Sequence, residues 1–223
     1  MDEKGVVREY FNTTGFERWR RIYGQDEVNW VQQDIRQGHE RTLETVLSWL
    51  ESVKGLPICD AGCGVGSLAI PLAQRGAQVQ ASDISEQMVG EARQRAESQG
   101  LQNNPHFLVS DLEHLQGSFD VVICLDVMIH YPEADALRMV EKLTQLAKQR
   151  LIFSFAPKTP LLTALKKIGE FFPGPSKTTR AYQHREQALV QQLQALGWEV
   201  KQRETIRSRF YFAWILDCCP GTP

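Results

Sequence analysis

Long apolar runs are missing from this chain: no window approaches the roughly 20 residues that a membrane-spanning helix requires. The opening, MDEKGVVREYFN, lacks the apolar core of a secretory signal and the acid-poor, Arg- and Ser-rich make-up of an organelle transit peptide, so the expected location is the cytoplasm. Cysteine is scarce and poorly spaced for metal. Cys59, Cys63, Cys124, Cys218 and Cys219 contain no CxxC pair and have no histidine at ligand spacing, which disfavours a structural zinc site and reads as reduced thiols. A surplus of positive charge is absent as well. With 25 Lys and Arg against 27 Asp and Glu, the net charge of -2 offers no global attraction to nucleic acid or to an anionic membrane, and any anion recognition must be local. There is no internal repeat and no low-complexity tract.

What is present suffices for one core. A chain of 223 residues with 42% hydrophobic content is expected to fold as a single domain and to bury roughly 70% of the surface its unfolded form exposes. From position 56 onward, short apolar runs alternate with helical patterns, the signature of βαβ units feeding a parallel sheet. LPICDAG, AQVQASD, PHFLVSD, FDVVICLD and RLIFSFAP predict five strands, and residues 67–74, 85–98, 134–147 and 185–196 predict helices. GWEVKQRETI and RFYFAWILD follow with no helix between them, so a hairpin turns the last strand antiparallel. The expected fold is α/β, with a seven-stranded, mostly parallel sheet. Two segments stand outside the repeating unit. Residues 1–50, helical in pattern and carrying FERWRRIYG, form an arm. Residues 51–223 form the sheet domain, interrupted after the fifth strand by an insertion at 157–182, PKTPLLTALKKIGEFFPGPSKTTRAY. Attachments to a rigid sheet are where specificity is expected.

The stretch ICDAGCGVGSLAIPLA, residues 58–73, places Gly62, Gly64 and Gly66 between a strand and a helix, so that backbone N–H groups meet a ligand with no Cβ in the way. That pattern suits a nucleotide-like cofactor. A pyrophosphate would gain nothing from the acid at position 60, and GxGxG departs from the GxGxxG of dinucleotide sites, which disfavours a nicotinamide-dependent dehydrogenase. With its acid two residues before the first glycine, the motif resembles the first motif of class I S-adenosylmethionine-dependent methyltransferases, whose fold is Rossmann-like. The resemblance implies that Asp60 and the loop, Cys63 included, hold the amino acid portion of S-adenosyl-L-methionine, the carboxylate attracting its ammonium. Asp83, followed by Ile84, ends the second predicted strand at the distance expected of a carboxylate that accepts from both ribose hydroxyls. Asp111, between Ser110 and Leu112, ends the third, where the family receives the adenine amino group. The segment from Leu125 to His130, at the end of the fourth, faces the methyl donor. Four polar strand ends on one edge obey the rule that ligands sit at the carboxyl ends of parallel strands. Local alternatives stay open: Asp60 as a helix-start residue, Asp83 as an N-cap within SDIS, Cys63 as no more than a small turn residue, and Met88 as adenine wall or as core.

Beyond these shared motifs, VREYFNTTGFERWRRIYG, IRQGHERT, DVMIHYP and FSFAPKTP, together with DAGCGVGSLAIPLA, resemble the magnesium protoporphyrin IX O-methyltransferase family of chlorophyll biosynthesis over nearly the whole length. The resemblance implies transfer of a methyl group from S-adenosyl-L-methionine to one propionate of magnesium protoporphyrin IX, giving the 13-monomethyl ester. It also implies hand-over of that substrate from the porphyrin-binding subunit of magnesium chelatase. A metalloporphyrin is a flat apolar disc with two carboxylates on one edge, so its site needs an apolar slot with cations at one rim. The insertion supplies Leu161, Leu162, Leu165, Ile168, Phe171 and Phe172 beside Lys158, Lys166, Lys167, Lys177 and Arg180. The same residues suit a solvated amphipathic helix that caps the sheet, and their basic, apolar face suits peripheral contact with a photosynthetic membrane.

In the arm, Tyr10, Trp19, Arg20, Tyr23 and Trp30 are expected to fold over the cofactor and exclude water. Trp19 and Trp30 suit core packing equally well. Trp30 and Tyr131 complete the expected substrate contacts, and in IRQGH, Arg36, Gly38 and His39 are expected to meet the cofactor's carboxylate and donor end. His130 and Tyr23 are the candidate catalytic residues. A propionate resembles Glu, with a pKa of about 4.3, and is already ionised at neutral pH. No proton has to leave, so a hydrogen bond from either residue would position an oxygen. A histidine satisfied by backbone, a general base and an axial contact to the magnesium are the alternatives for His130. A methyltransferase acting on another small molecule, such as a quinone precursor, would share the loop and the acids. A binding module without catalysis is opposed by the intact Asp60, Asp83 and Asp111.

Overall fold

The computed structural model describes residues 3–160, 162–163 and 181–221. Most of the insertion, with Leu161, Leu165, Lys166, Lys167, Ile168, Phe171, Phe172, Lys177 and Arg180, lies outside the described residues. The strands are β1 (Pro57–Ala61), β2 (Gln78–Asp83), β3 (His106–Val109), β4 (Phe119–Cys124), β5 (Ala147–Phe155), β6 (Trp198–Arg207) and β7 (Phe212–Pro220). They form one seven-stranded sheet in the order β3-β2-β1-β4-β5-β7-β6, with β7 antiparallel to both its neighbours. The predicted topology is what the structure has. Val121–Cys124 of β4 and Leu151–Phe155 of β5 are buried throughout, as strands of a parallel sheet covered on both faces must be. β6 closes one edge with exposed Lys201, Arg203 and Glu204, charges that discourage pairing with another chain.

Helices α4 (Ala69–Gln74) and α5 (Glu86–Ser98) cover one face of the sheet, and α6 (Glu133–Leu146) and α7 (Glu186–Ala195) the other. α6 buries Ala136, Met139, Val140 and Leu143, the i, i+3, i+4, i+7 stripe of a helix lying on a sheet. The glycine-loop helix starts at Ala69, two residues later than its sequence pattern suggests, because Gly66, Ser67 and Leu68 are spent in the turn that precedes it. Strand order reverses between β1 and β4. A crevice therefore opens at their carboxyl ends, the usual place for a ligand in an open α/β sheet.

The first fifty residues form α1 (Glu3–Asn12), α2 (Phe16–Ile22) and α3 (Trp30–Trp49). α3 starts with a reciprocal cap, Asn29 Oδ1 accepting from Gln32 N at 3.0 Å and Gln32 Oε1 from Asn29 N at 3.2 Å. It runs unbroken to Trp49 and joins the scaffold, with Val46 buried against the sheet. Arg150 pairs with Asp217 through two bonds of 2.8 and 2.6 Å on the β5–β7 seam and also donates to Trp49 O at 2.8 Å, fastening α3 to the sheet. α1 docks on the start of α5, Ser85 Oγ lying 2.8 Å from Asn12 Oδ1 and 3.1 Å from Phe11 O. The end of α2 is held by Arg95, which donates to Tyr23 O at 2.6 Å and Arg20 O at 3.1 Å.

The five cysteines are free thiols, four of them buried. Among the described residues no helix is long and apolar enough to cross a membrane, and no group of three or more His, Cys, Asp and Glu is disposed to hold a metal.

Candidate active site

The cleft at the carboxyl ends of β1 to β4 is roofed by Val7 and Phe11 of α1, by Tyr23 just past α2, and by His39 and Leu43 of α3. Its floor is the glycine loop. Gly62 N and Cys63 N donate to Ser82 O at 2.7 and 2.9 Å, and Gly64 N to Asp83 Oδ2 at 3.0 Å, which ties the loop to the end of β2. Gly62 has a φ of 90°, and a Cβ there would stand 2.0 Å from Val127 Cγ2, so only glycine lets the loop close against the end of β4. At Gly64 a Cβ would meet nothing within 4 Å, leaving an open cradle.

The three acids expected from sequence all line this cleft. Asp60 is 2% exposed and lies one residue before the end of β1. One side of its carboxyl accepts from Ala69 N at the start of α4, and the helix-start reading is right to that extent. Its Oδ2 is buried with no partner among the described residues. Burial, and then the charge of Asp83, push the Asp60 carboxyl up to about 7. Asp83 ends β2 and accepts from Gly64 N at 3.0 Å and Ser85 N at 2.9 Å. Burial raises its pKa, with the Ser85, Gly64 and Ile84 amides pulling the other way. The N-cap of α5 is Ser85, not Asp83, its Oγ accepting from Met88 N. Asp111 has left the sheet, since β3 stops at Val109, and it caps the short turn Leu112–His114. Lys4 Nζ of α1 pairs with it at 3.0 Å and with Glu113. Ile84, Met88, Ser110, Leu112 and Leu125 line the same space.

His130 and Tyr131 line the same cleft, with Tyr23 of its roof. His130 Nδ1 is buried without a partner among the described residues, and the ring packs edge-on against Phe11 at 5.1 Å. Burial pulls its pKa down to about 4 against the opposing charge of Asp126, so the ring is neutral at neutral pH. Tyr23 lies between Trp19 and His39, with ring centroids 5.2 and 4.1 Å away. Burial first, then the charge of Asp126, hold its hydroxyl well above the ordinary range, and Tyr131 is raised by burial in the same way. Both phenols are therefore protonated donors.

Four expected contacts fall elsewhere. The Arg36 guanidinium donates to the carbonyls of Ile22 at 2.9 Å, Arg21 at 2.7 Å and Asp26 at 2.8 Å, so it satisfies the open end of α2 rather than an anion in this cleft. Gly38 does not line the cleft, and a Cβ on it would stand 2.5 Å from the ring of Tyr211. Trp30 is 65% exposed at the first turn of α3 and packs on Phe210, neither in the core nor in the cleft. Lys158 is exposed, its backbone N–H donating to His184 O at 2.8 Å. Asp126, within the Leu125–His130 segment expected to face the methyl donor but given no contact of its own, lines the cleft and takes bonds from His39 and Tyr211.

The family model described as magnesium-protoporphyrin IX methyltransferase C-terminus matches residues 124–220, and the one described as methyltransferase domain matches residues 58–150. A magnesium-protoporphyrin O-methyltransferase of Synechocystis sp. is 56% identical, over 97% of this chain and 96% of that protein. The chloroplastic magnesium protoporphyrin IX methyltransferase of Arabidopsis thaliana is 52% identical, over 98% of this chain and 72% of that protein. The crystal structure of magnesium protoporphyrin IX methyltransferase from Synechocystis PCC 6803 with bound S-adenosylhomocysteine matches with a TM-score of 0.90 at 52% identity, covering 99% of this chain and 100% of that one.

Proposed function

The chain belongs to the magnesium protoporphyrin IX methyltransferases, and from that premise we propose how its cleft works. The enzyme transfers the methyl group of S-adenosyl-L-methionine to a propionate carboxylate of magnesium protoporphyrin IX, giving the 13-monomethyl ester. The observation that carries the site assignment is the buried Oδ2 of Asp60, without a partner among the described residues, in the cleft that the open cradle at Gly64 also lines, a place that asks for a cation at the end of a glycine loop.

S-adenosyl-L-methionine, when bound, supplies an electrophilic methyl group on a cationic sulfonium. Asp60 takes the ammonium of its amino acid portion, Asp83 accepts from the ribose hydroxyls, and Asp111 accepts from the adenine amino group, with Met88 and Leu112 as apolar walls. Asp83 is already fixed by two backbone amides, so little ordering is left to do when the ribose arrives. Neutral His130 and protonated Tyr23 offer hydrogen bonds that hold one propionate oxygen in line with the methyl group. The acceptor, with a pKa of about 4.3, is already ionised, and no base is needed. The barrier lies in alignment and in stripping water from the carboxylate, and the roof of Val7, Phe11, Tyr23 and Leu43 serves both.

Incubating the protein with S-adenosyl-L-methionine and either magnesium protoporphyrin IX or a demethylated quinone precursor, with products resolved by chromatography and mass spectrometry, tests the reading. A monomethyl ester of the porphyrin and no quinone product is the expected result. Methylation of the quinone precursor alone would overturn it. Delivery of the porphyrin by the porphyrin-binding subunit of magnesium chelatase extends the proposal, because an apolar, photoreactive substrate is better handed over than released. The basic insertion is the candidate contact. Charge reversal at Lys166 and Lys167 is expected to abolish co-purification of the two proteins, and co-purification that ignores the reversal removes the insertion as the contact.

A further inference from the structure

The turn that carries His130 is held from outside its own stretch of chain. It is a single helical turn, Met128–His130, between β4 and α6, closed by His130 N donating to Val127 O at 3.0 Å and Tyr131 N to Met128 O at 3.1 Å. The chain that returns from the insertion binds it. Tyr182 N donates to Ile129 O at 2.7 Å, and His184 Nε2 lies 2.8 Å from Met128 O. Arg185 then takes hold of Glu133, the first residue of α6, its backbone N and its Nε each donating to Oε2 at 3.2 Å and its Nη2 to Oε1 at 2.6 Å. Residues 182, 184 and 185 thus grip 128, 129 and 133, on either side of His130.

His184 anchors this splint. It is fully buried, and its backbone is sewn to the end of β5: His184 N donates to Ala156 O and Lys158 N to His184 O, both at 2.8 Å, in a parallel bridge across Pro157. The two ends of the insertion therefore meet at this residue. A carbonyl only accepts, so the ring's Nε2 carries a proton toward Met128 O. Burial pulls the pKa of the ring down, against the Met128 bond and the charge of Glu133, and the ring is neutral at neutral pH. Its Nδ1 is buried with no partner among the described residues, which leaves the bond to Met128 O as the ring's one polar anchor among them. His130, by contrast, has no such anchor at Nδ1. Its ring is aimed by the edge of Phe11 and by the backbone of the turn.

We propose that His184 is a positioning residue for methyl transfer, its Nε2–H fixing Met128 O and so setting the turn that aims His130 into the cleft. His184 is not among the residues that line the cleft, so it acts through His130 and touches neither cofactor nor acceptor. The inference rests on the reading of His130 as the group that aligns a propionate oxygen. A misplacement of about 1 Å can cost about 100-fold in rate, so a small shift of one carbonyl suffices. The chemistry of the ring also defines a rescue. The amide nitrogen of glutamine stands as many bonds from Cα as Nε2 of histidine and can donate to the same carbonyl, whereas that of asparagine stops one bond short, at the place of Nδ1.

Steady-state kinetics with magnesium protoporphyrin IX, and calorimetry with S-adenosylhomocysteine, test this on the parent, His184→Asn, His184→Gln, His130→Ala and the double variant of His130→Ala with His184→Asn. His184→Asn is expected to lower kcat about 10- to 100-fold, with KM for the porphyrin and the affinity and stoichiometry of S-adenosylhomocysteine little changed, and His184→Gln to recover most of the loss. In the His130→Ala background, His184→Asn should cost almost nothing more, because a residue that acts through another loses its effect when the other is gone. A side chain that only stabilised the fold would cost the same in both backgrounds. Imidazole nitrogen NMR should place the His184 proton on Nε2. In the complex with S-adenosylhomocysteine, the His130 ring signals should move in His184→Asn and return in His184→Gln. A folded His184→Asn protein with the parent's kcat, beside a deficient His130→Ala, overturns the proposal alone, and so does an undiminished effect in the His130→Ala background or a proton on Nδ1 of His184. Should His184→Asn not fold, the parent spectrum and His184→Gln decide, and a kcat in His184→Gln as low as in His130→Ala counts against the proposal. Full activity in His130→Ala overturns the alignment reading and the proposal with it. A parent that methylates no magnesium protoporphyrin overturns the substrate reading, and the His130 signals still decide the role of His184.

Discussion

His130→Ala is expected to lower kcat about 10- to 1,000-fold through lost alignment of the acceptor, with cofactor affinity little changed. The ring lines the cleft, its Nδ1 has no partner among the described residues, and burial holds its pKa at about 4. The sign follows from that shift. A histidine with its pKa pulled below the ordinary value of about 6.5 takes up a proton only as pH falls toward 4, so its charge state is constant across neutral pH. The kcat of the parent should therefore show no inflection near 6.5 that the alanine variant lacks. His130→Asn and His130→Gln, which donate a hydrogen bond but are no bases, should each recover part of the loss, with Tyr23 supplying the other donor. Steady-state kinetics over a pH series check both points. If neither amide restores any activity and the parent's kcat climbs through a pKa near 6.5, His130 is a base and the positioning account fails.

Most of the scaffold was legible because its signal is local. Each apolar run of β1 to β5 sits between a turn and a helical stripe, and the missing helix between β6 and β7 announced the antiparallel strand. Errors at the ends have physical causes. Ser110 and Asp111 read as strand but leave the sheet, because Asp111 is drawn to cap the next turn. The cleft's acids were legible because each stands at or just past the end of a predicted strand, as Asp60, Asp83 and Asp111 do. The site was not legible where a side chain's partner is remote. Arg36 stands beside a ligand motif and looks like an anion binder, yet the bare carbonyls of Arg21 and Ile22, created by the end of α2, claim it first. Gly38 looks like part of a cofactor loop and is instead clearance for Tyr211, a residue of a distant hairpin. Asp126 meets His39 and Tyr211 from 87 and 85 positions away, and its left-handed φ carries no sequence mark, since the residue is not glycine.

Asp60→Asn is expected to weaken cofactor binding while stabilising the cofactor-free fold, two effects of opposite sign from one carboxyl. Burial, with the charge of Asp83 behind it, holds the pKa at about 7 in the free protein, and the Ala69 amide does not reverse this. An unfolded aspartate titrates near 3.9, so the shift contributes stability that is fully present below about pH 4 and is lost as pH rises through about 7. Above that pH the free protein carries a buried carboxylate with no cation beside it among the described residues, and asparagine removes the charge. Melting temperature should therefore rise in the variant, more at pH 8 than at pH 5, by an amount equivalent to at most a few kcal/mol. The cofactor's ammonium reverses the balance, because a cation in contact favours the ionised acid. Losing that partner should weaken binding by about 1.5 to 3 kcal/mol, or about 10- to 150-fold. Near pH 6 the parent must also shed a proton from Asp60 to make the pair, so its affinity climbs with pH until about 7, whereas the variant's does not climb on this account. Calorimetry in two buffers of different ionisation heat reads the proton directly: at pH 6 the parent should release more protons per cofactor bound than Asp60→Asn does. Equal proton counts in the two proteins, or an asparagine variant that binds as tightly as the parent, would remove Asp60 from the ammonium and leave its buried, partnerless oxygen without a function.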